Sequence, residues 1–341
     1  MDRHERITTS RMGPAAQLAT VLVSGCLALA PGVAQARQTF AEFVAQVRAE
    51  ARANGIAKVT LDQAFDSIHE PIARIIELDR NQPEVTMTFA EYMAKRVSNA
   101  MVRDGRANLR ANEALLDQVA ARYGVPKNVL AAFWGLESRY GEYMGKYSVI
   151  AALATLAYDG RRGEFFRKEL MDALAILDQG HISADLMLGS WAGAMGQCQF
   201  MPSSFRSYAV DFDGDGRRDI WTTKADVFAS AANYLAKSGL KADEPWGMPV
   251  VLPAGFDTSL IGNRTKRDVT TWRSLGVTAI DGHALPTDGT EAALVRPGGD
   301  HGMTFMVFEN YQAILRWNRS DYFAMSVVTL ADLLAEPGGT P

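Results

Sequence analysis

Two cysteines are all that the 341 residues contain, and one of them, Cys26, lies inside a segment that reads as an export leader. Once that leader is cleaved, Cys198 has no thiol to pair with. An intramolecular disulfide in an oxidising compartment is therefore excluded, and stability falls to packing and to metal. Long apolar runs are scarce too. The clearest, Leu18 to Ala30, counts 13 residues, whereas a membrane-spanning helix needs about 20, so the mature chain is expected to be soluble, with no transmembrane segment. Runs of lysine and arginine are missing, and the net charge is −4, which together argue against a nucleic-acid partner. With 48% hydrophobic and 22% charged residues the composition excludes disorder, and the length suffices for more than one core.

The leader has three parts. Arg3, Arg6 and Arg11 give a charged start, the apolar run follows, and Ala34-Gln35-Ala36 after the helix-breaking Pro31-Gly32 makes a small-x-small cleavage site. Residues 1–36 are expected to be removed and the mature chain, beginning at Arg37, to reside in the periplasm. A second reading of the same segment is open. Val23-Ser24-Gly25-Cys26 resembles a lipobox, which would leave the protein lipid-anchored at Cys26.

The mature chain reads as mainly helical, of the α+β class. Residues 37–122 form a helical domain with Phe40, Phe43, Val44 and Val47 on one face and capping boxes at Thr60-x-x-Gln63 and Thr88-x-x-Glu91. A core follows over 123–240. Residues 241–308, rich in Gly, Pro and Thr with short β-type runs such as Pro249 to Leu252, read as a small partly β subdomain, and 309–335 as helices returning to the core. Within the core, one helix opens at Pro126 and is capped by Gly141, and it carries Glu137 behind Phe133, Trp134 and Leu136. An apolar flank disfavours the charged form of a carboxyl group, so Glu137 is expected to have a raised pKa and to serve as a general acid. The alternative is a glutamate on the solvated last turn of an ordinary helix.

Gly189 to Pro202 changes character. Glycines at 189, 193 and 196 let the backbone approach a ligand, while Ser190, Gln197 and Gln199 supply neutral hydrogen-bonding groups beside apolar ones, which suits a sugar. A buried helix contact made by small residues would look the same. Gln197-Cys198 also has two letters of a cysteine peptidase, but a small apolar filler explains this cysteine better. Next, Asp211-Phe-Asp213-Gly-Asp215-Gly216-Arg217 matches the first half of an EF-hand. Asp211, Asp213, Asp215 and the carbonyl of Arg217 are candidate ligands for a structural Ca2+. Thr222 stands where a bidentate glutamate belongs, and Asp226 is expected to close the loop instead. Near the C-terminus, Trp317 followed by Asn318 is an aromatic–amide pair of the kind that stacks on sugars.

Glu137-Ser-Arg-Tyr-Gly141, Gly189-Ser-Trp-Ala-Gly-Ala-Met-Gly-Gln-Cys-Gln-Phe-Met-Pro-Ser203, the Asp-Phe-Asp-Gly-Asp-Gly loop and Ala232-Asn-Tyr-Leu235, in this order, resemble the B family of bacterial lytic murein transglycosylases. The resemblance runs from about residue 38 to 335 and implies a lysozyme-like core. It implies peptidoglycan glycan strands as substrate, cell-wall synthesis proteins as further partners, and Glu137 as sole acid and base. Ser190, Gln199, Phe200, Tyr234 and Asn318 would line the sugar groove, with Trp317 and Phe323 as its aromatic walls. Some members have tyrosine in place of Trp317 and glycine in place of Cys198. The expected reaction cleaves the β-1,4 bond between N-acetylmuramic acid and N-acetylglucosamine with formation of 1,6-anhydro ends. A hydrolysing muramidase on the same fold and a calcium-dependent wall-binding protein without turnover are the competing readings.

Overall fold

A computed structural model describes residues 38–81, 87–287 and 289–335. The leader reading, Cys26 included, lies outside the described residues. Six helices open the fold: α1 (Phe40–Ala53), α2 (Lys58–Phe65), α3 (Ala73–Arg80), α4 (Phe89–Arg96), α5 (Asn99–Ala111) and α6 (Glu113–Tyr123). Then come α7 (Lys127–Ser138), a two-residue β1 (Tyr147–Ser148), α8 (Val149–Asp159), α9 (Gly163–Asp178), β2 (Leu188–Gly189), α10 (Pro202–Tyr208) and α11 (Lys224–Lys237). The remainder is β3 (Gly247–Val251), β4 (Arg267–Asp268), α12 (Val269–Ser274), β5 (Thr278–Ala279), β6 (Glu291–Val295), β7 (Thr304–Val307), α13 (Glu309–Trp317) and α14 (Asp321–Ala335).

Helix starts follow local chemistry. The box at Thr88–Glu91 forms as the spacing predicts, with Thr88 Oγ1 accepting from the Glu91 N–H and the Glu91 carboxylate accepting from the Thr88 N–H. The box expected at Thr60 does not form. Helix α2 has already begun at Lys58, and the Thr60 hydroxyl donates instead to Asp178 at 2.6 Å, across to the end of α9. An equivalent box that the reading missed caps α1 at Thr39 and Glu42. Helix α10 borrows its cap from another element: the Glu169 carboxylate of α9 accepts from the N–H and the hydroxyl of Ser203.

Two cores result. The large one joins α1 (Phe43, Val47), α7 (Leu130, Phe133), the apolar α8 (Leu153, Leu156), α11 and α14 (Val327, Leu330). A smaller one, around Trp272, Leu294 and Met306, belongs to an antiparallel sheet ordered β4-β6-β7-β3-β5. That sheet pairs Val250 with Thr304 and Leu294 with Met306, so the run expected near Pro249 and the strand expected at Thr304 are neighbours. Helix α14 packs along α7, and Asn128 Nδ2 donates to the Ala331 carbonyl at 3.0 Å. The last helix thereby backs the one that carries Glu137. Among the described residues no helix is long and apolar enough to cross a membrane.

Candidate active site

Glu137 is the second-last residue of α7, half-buried, behind a run from Leu130 to Leu136 that is buried throughout. The helix does not reach a cap at Gly141. It ends at Ser138, and Arg139 and Tyr140 then both take left-handed backbone, at φ 51° and 60°. That conformation is costly for side chains larger than glycine. Several contacts hold it: the Arg139 N–H donates to the Gly135 carbonyl at 2.9 Å, the Tyr140 N–H to the Trp134 carbonyl at 3.2 Å, and the Gly141 N–H to Ser138 Oγ at 3.0 Å. Tyr140 then plugs inward. Its hydroxyl donates to the Met101 carbonyl at 2.9 Å, and its ring stands edge-on to Trp134 at 5.4 Å. Burial pushes its phenol up, with Asp104 adding to the effect. A Cβ on Gly105 would stand 2.3 Å from the Tyr140 hydroxyl oxygen and one on Gly135 2.6 Å from its ring, so glycine at both places makes room for the phenol. The Glu-Ser-Arg-Tyr-Gly run is thus a sharp, braced turn that ends the helix just beyond the carboxyl.

The glycine-rich segment lies against this turn. Gln197 is buried and spans three elements: Oε1 accepts from Trp134 Nε1–H at 2.8 Å, Nε2 donates to the Trp221 carbonyl at 2.8 Å, and its N–H donates to the Ile220 carbonyl at 2.8 Å. Gly145 meets the backbone of Gly189 and Ser190 so closely that a Cβ would stand 2.1 Å from the Gly189 carbonyl oxygen. Gln199, with φ 48°, spends its amide nitrogen on the carbonyls of Met144 and Gly196 at 3.1 and 2.8 Å. Ser190 Oγ accepts from the Ala192 and Ala194 N–H groups at 3.3 and 3.1 Å, which leaves its own proton to be donated elsewhere. The Cys198 thiol is buried against the Val227 carbonyl at 3.2 Å, and burial, reinforced by Glu137, pushes it up. It is the apolar filler the sequence suggested, unsuited to be a nucleophile.

Trp317, at the end of α13, closes the other side. Its indole Nε1–H donates to Glu137 Oε1 at 2.7 Å, a bond the sequence reading did not foresee. Ring contacts surround the indole, with Phe133 at 4.7 Å, Phe200 at 5.2 Å and Tyr234 stacked at 4.7 Å and 23°. Two predicted groove residues are corrected. Phe200 and Phe323 are only 1% and 3% exposed and sit beneath the surface, Phe200 under Trp317 and Tyr234, Phe323 against Phe133. Their types were legible as aromatic, but burial takes them out of a sugar's reach. Tyr234 is half-buried with its hydroxyl donating to the Arg316 carbonyl at 3.0 Å, and Asn318 is exposed with Oδ1 accepting from Ser320 N–H at 3.1 Å. Glu137 is the one acidic residue lining a void of about 10 Å³ shared with Gln197, Cys198 and Trp317, space for one water at most.

Two further carboxylates of the core are paired elsewhere. Glu142 is exposed and paired with Arg139 at 3.0 Å, and Asp159 pairs with Arg80 at 2.8 Å. In the acidic loop, oxygens of Asp211, Asp213 and Asp226 lie within 4.8 Å of one another. Asp215 is not brought into this cluster; its carboxylate turns to the Arg217 guanidinium at 3.0 Å. Asp211 accepts from the N–H groups of Gly214 and Gly216, and Asp226 from those of Phe212 and Asp219, so the backbone aims the carboxylates inward. Burial pushes the Asp226 carboxyl up, partly offset by those two N–H bonds, and the charges of Asp213 and Asp211 push it further. Thr222, at the twelfth position, bonds to Asp219 instead of facing the cluster. Three hard oxygen donors converging on one point, in mutual repulsion, fit a calcium-type cation.

Residues 39–332 match the family described as the transglycosylase SLT domain. The chain is 33% identical over 255 residues to membrane-bound lytic murein transglycosylase B of Escherichia coli (strain K12), covering 72% of this chain and 67% of that protein. SltB3 of Pseudomonas aeruginosa, solved in complex with NAG-anhNAM-pentapeptide, superposes with a TM-score of 0.83 at 45% identity, covering 86% of this chain and 79% of that one. Escherichia coli lytic transglycosylase Slt35, solved in complex with calcium, superposes with a TM-score of 0.76 at 28% identity, covering 86% and 92%.

Proposed function

The chain belongs to the transglycosylase SLT domain family, and from that premise we propose that it is a peptidoglycan lytic transglycosylase, a lyase, whose single acid and base is Glu137. One observation carries the reading. The carboxyl of Glu137 stands at the end of a buried helix and is held by the Trp317 indole, while Glu142, the next acid along the chain, is exposed and paired with Arg139. Glycosidases that hydrolyse usually work with two carboxylates, about 5–5.5 Å apart when one is the nucleophile and roughly 6.5–9.5 Å when one activates water. With one, the substrate itself supplies the attacking group.

In N-acetylmuramic acid the C6 hydroxyl is placed to close on C1, assisted by the neighbouring acetamido group. Glu137 gives its proton to the oxygen leaving toward N-acetylglucosamine, and the C1–O bond of the β-1,4 linkage breaks. As the C6 oxygen bonds to C1, its proton passes to the Glu137 carboxylate, which returns to its starting state. The products are a free 4-hydroxyl on N-acetylglucosamine and a 1,6-anhydromuramoyl end. Ser190, Gln199, Tyr234, Trp317 and Asn318 are proposed to border the sugars, with the Ser190 hydroxyl and the exposed Asn318 amide as the polar contacts.

A bound calcium ion would offset the repulsion among Asp211, Asp213 and Asp226 and fix the loop they share. The reading divides the chain into a leader (1–36), a helical domain (37–122), a catalytic core (123–240), a β subdomain (241–308) and returning helices (309–335), with the mature enzyme working on the wall from the periplasm. Glu137→Gln keeps the shape and the bond from Trp317 but has no proton to transfer. It should lose cleavage of purified peptidoglycan by about 100-fold or more while melting like the parent. Retained cleavage would remove Glu137 from this role.

A further inference from the structure

We propose that Tyr208, Tyr234 and Trp317 form an aromatic column that aims the carboxyl of Glu137, a role resting on the reading of Glu137 as the acid. An indole N–H donates and cannot accept. Bound to Oε1 at 2.7 Å, it fixes that oxygen as the acceptor and leaves the transferable proton to Oε2. The selection works only while the indole is held, and Trp317 is the last residue of α13, where the chain leaves the helix.

Its restraint comes from the side. Tyr234 of α11 stacks on the indole at 4.7 Å and 23°, and its hydroxyl bonds the carbonyl of Arg316, the residue before Trp317, at 3.0 Å. Ring and backbone of the α13 terminus are therefore gripped by one tyrosine. Tyr208, at the end of α10, stacks on the far face of the column, 4.1 Å from Tyr234 and only 10° from parallel. Tyr208 is fixed in turn: Asn233 Nδ2 donates to its carbonyl at 2.8 Å, and Lys237 Nζ lies 5.8 Å from its ring centroid. Three rings from α10, α11 and α13 so converge on one hydrogen bond, and Tyr208 reaches Glu137 only through the other two. Tyr208 is a positioning residue that neither motif nor groove reading singled out.

Steady-state kinetics of the full chain on purified peptidoglycan tests this. Tyr208→Leu should lower kcat roughly 2- to 10-fold, the scale of one aromatic stacking contact, with KM unchanged within about twofold and kcat restored by Tyr208→Phe. Trp317→Phe, which keeps a ring and removes the donor, should lower kcat by about 10- to 100-fold, the scale of a hydrogen bond to a charged group. A folded Tyr208→Leu with parental kcat, or a loss that Tyr208→Phe does not restore, overturns the proposal. If Tyr208→Leu does not fold, an unchanged kcat in Trp317→Phe overturns it instead. Glu137→Gln is run alongside: an active Glu137→Gln removes the acid reading, whereas an inactive one beside an unaffected Tyr208→Leu removes the column alone.

Discussion

Gln197 shows what a single side chain does in this site. Its amide satisfies the Trp134 indole N–H and the Trp221 carbonyl inside the protein, and so ties the helix that carries Glu137 to the segment that follows the acidic loop. Gln197→Leu would leave a buried donor and a buried acceptor without partners, at about 1–3 kcal/mol each. Urea unfolding should therefore register a loss of about 2–6 kcal/mol; a loss below about 1 kcal/mol would mean that the amide is not the tie. The sequence placed Gln197 among sugar-facing groups because its neighbours are glycine and glutamine. Its partners lie 63 and 24 residues away, and no periodic signal reports such pairs. Glu137 was legible for the opposite reason, since its apolar flank is contiguous in the chain. The Trp317 N–H bond to Glu137, formed across 180 residues, was not.

At the scale of elements, local chemistry was legible where it acts locally. The Thr88 box follows from neighbouring residues. The end of α7 did not follow, because Gly141 is an obvious cap, while the left-handed turn at Arg139 and Tyr140 is anchored by the Tyr140 side chain against Met101 and Gly105, which only the fold brings near. The acidic loop was legible in its aspartates and in Asp226, but Asp215 is claimed by Arg217. The Asp226 carboxyl, raised by burial and by its acidic neighbours, sets the sign of a pH effect. A carboxyl whose folded pKa is raised costs stability at neutral pH, and that cost is relieved as pH falls through the raised value or when a cation binds. Calcium should accordingly raise the melting temperature most near about pH 7 and less as the pH falls, where protonation competes with the ion. At ~100-fold saturation the gain is about 2.7 kcal/mol. Asp211→Ala with Asp213→Ala should abolish it, and identical melting curves in calcium and in chelator would exclude the site.

At the scale of the molecule, the mainly helical chain with a smaller β-containing part was readable from the residues. What periodicity could not supply was the packing of α14 along α7 and the meeting of α10, α11 and α13 over one carboxyl. Those contacts turn a lone glutamate at a helix end into a site with one acid held by one indole donor. The central claim is that such a site cannot supply an activated water and so must let the substrate attack itself. Mass spectrometry of the muropeptides released from purified peptidoglycan at the earliest times tests it most directly. The account predicts 1,6-anhydromuramoyl ends, one water lighter than the hydrolysis product; reducing muramic acid ends from the outset would contradict it and identify a hydrolysing muramidase.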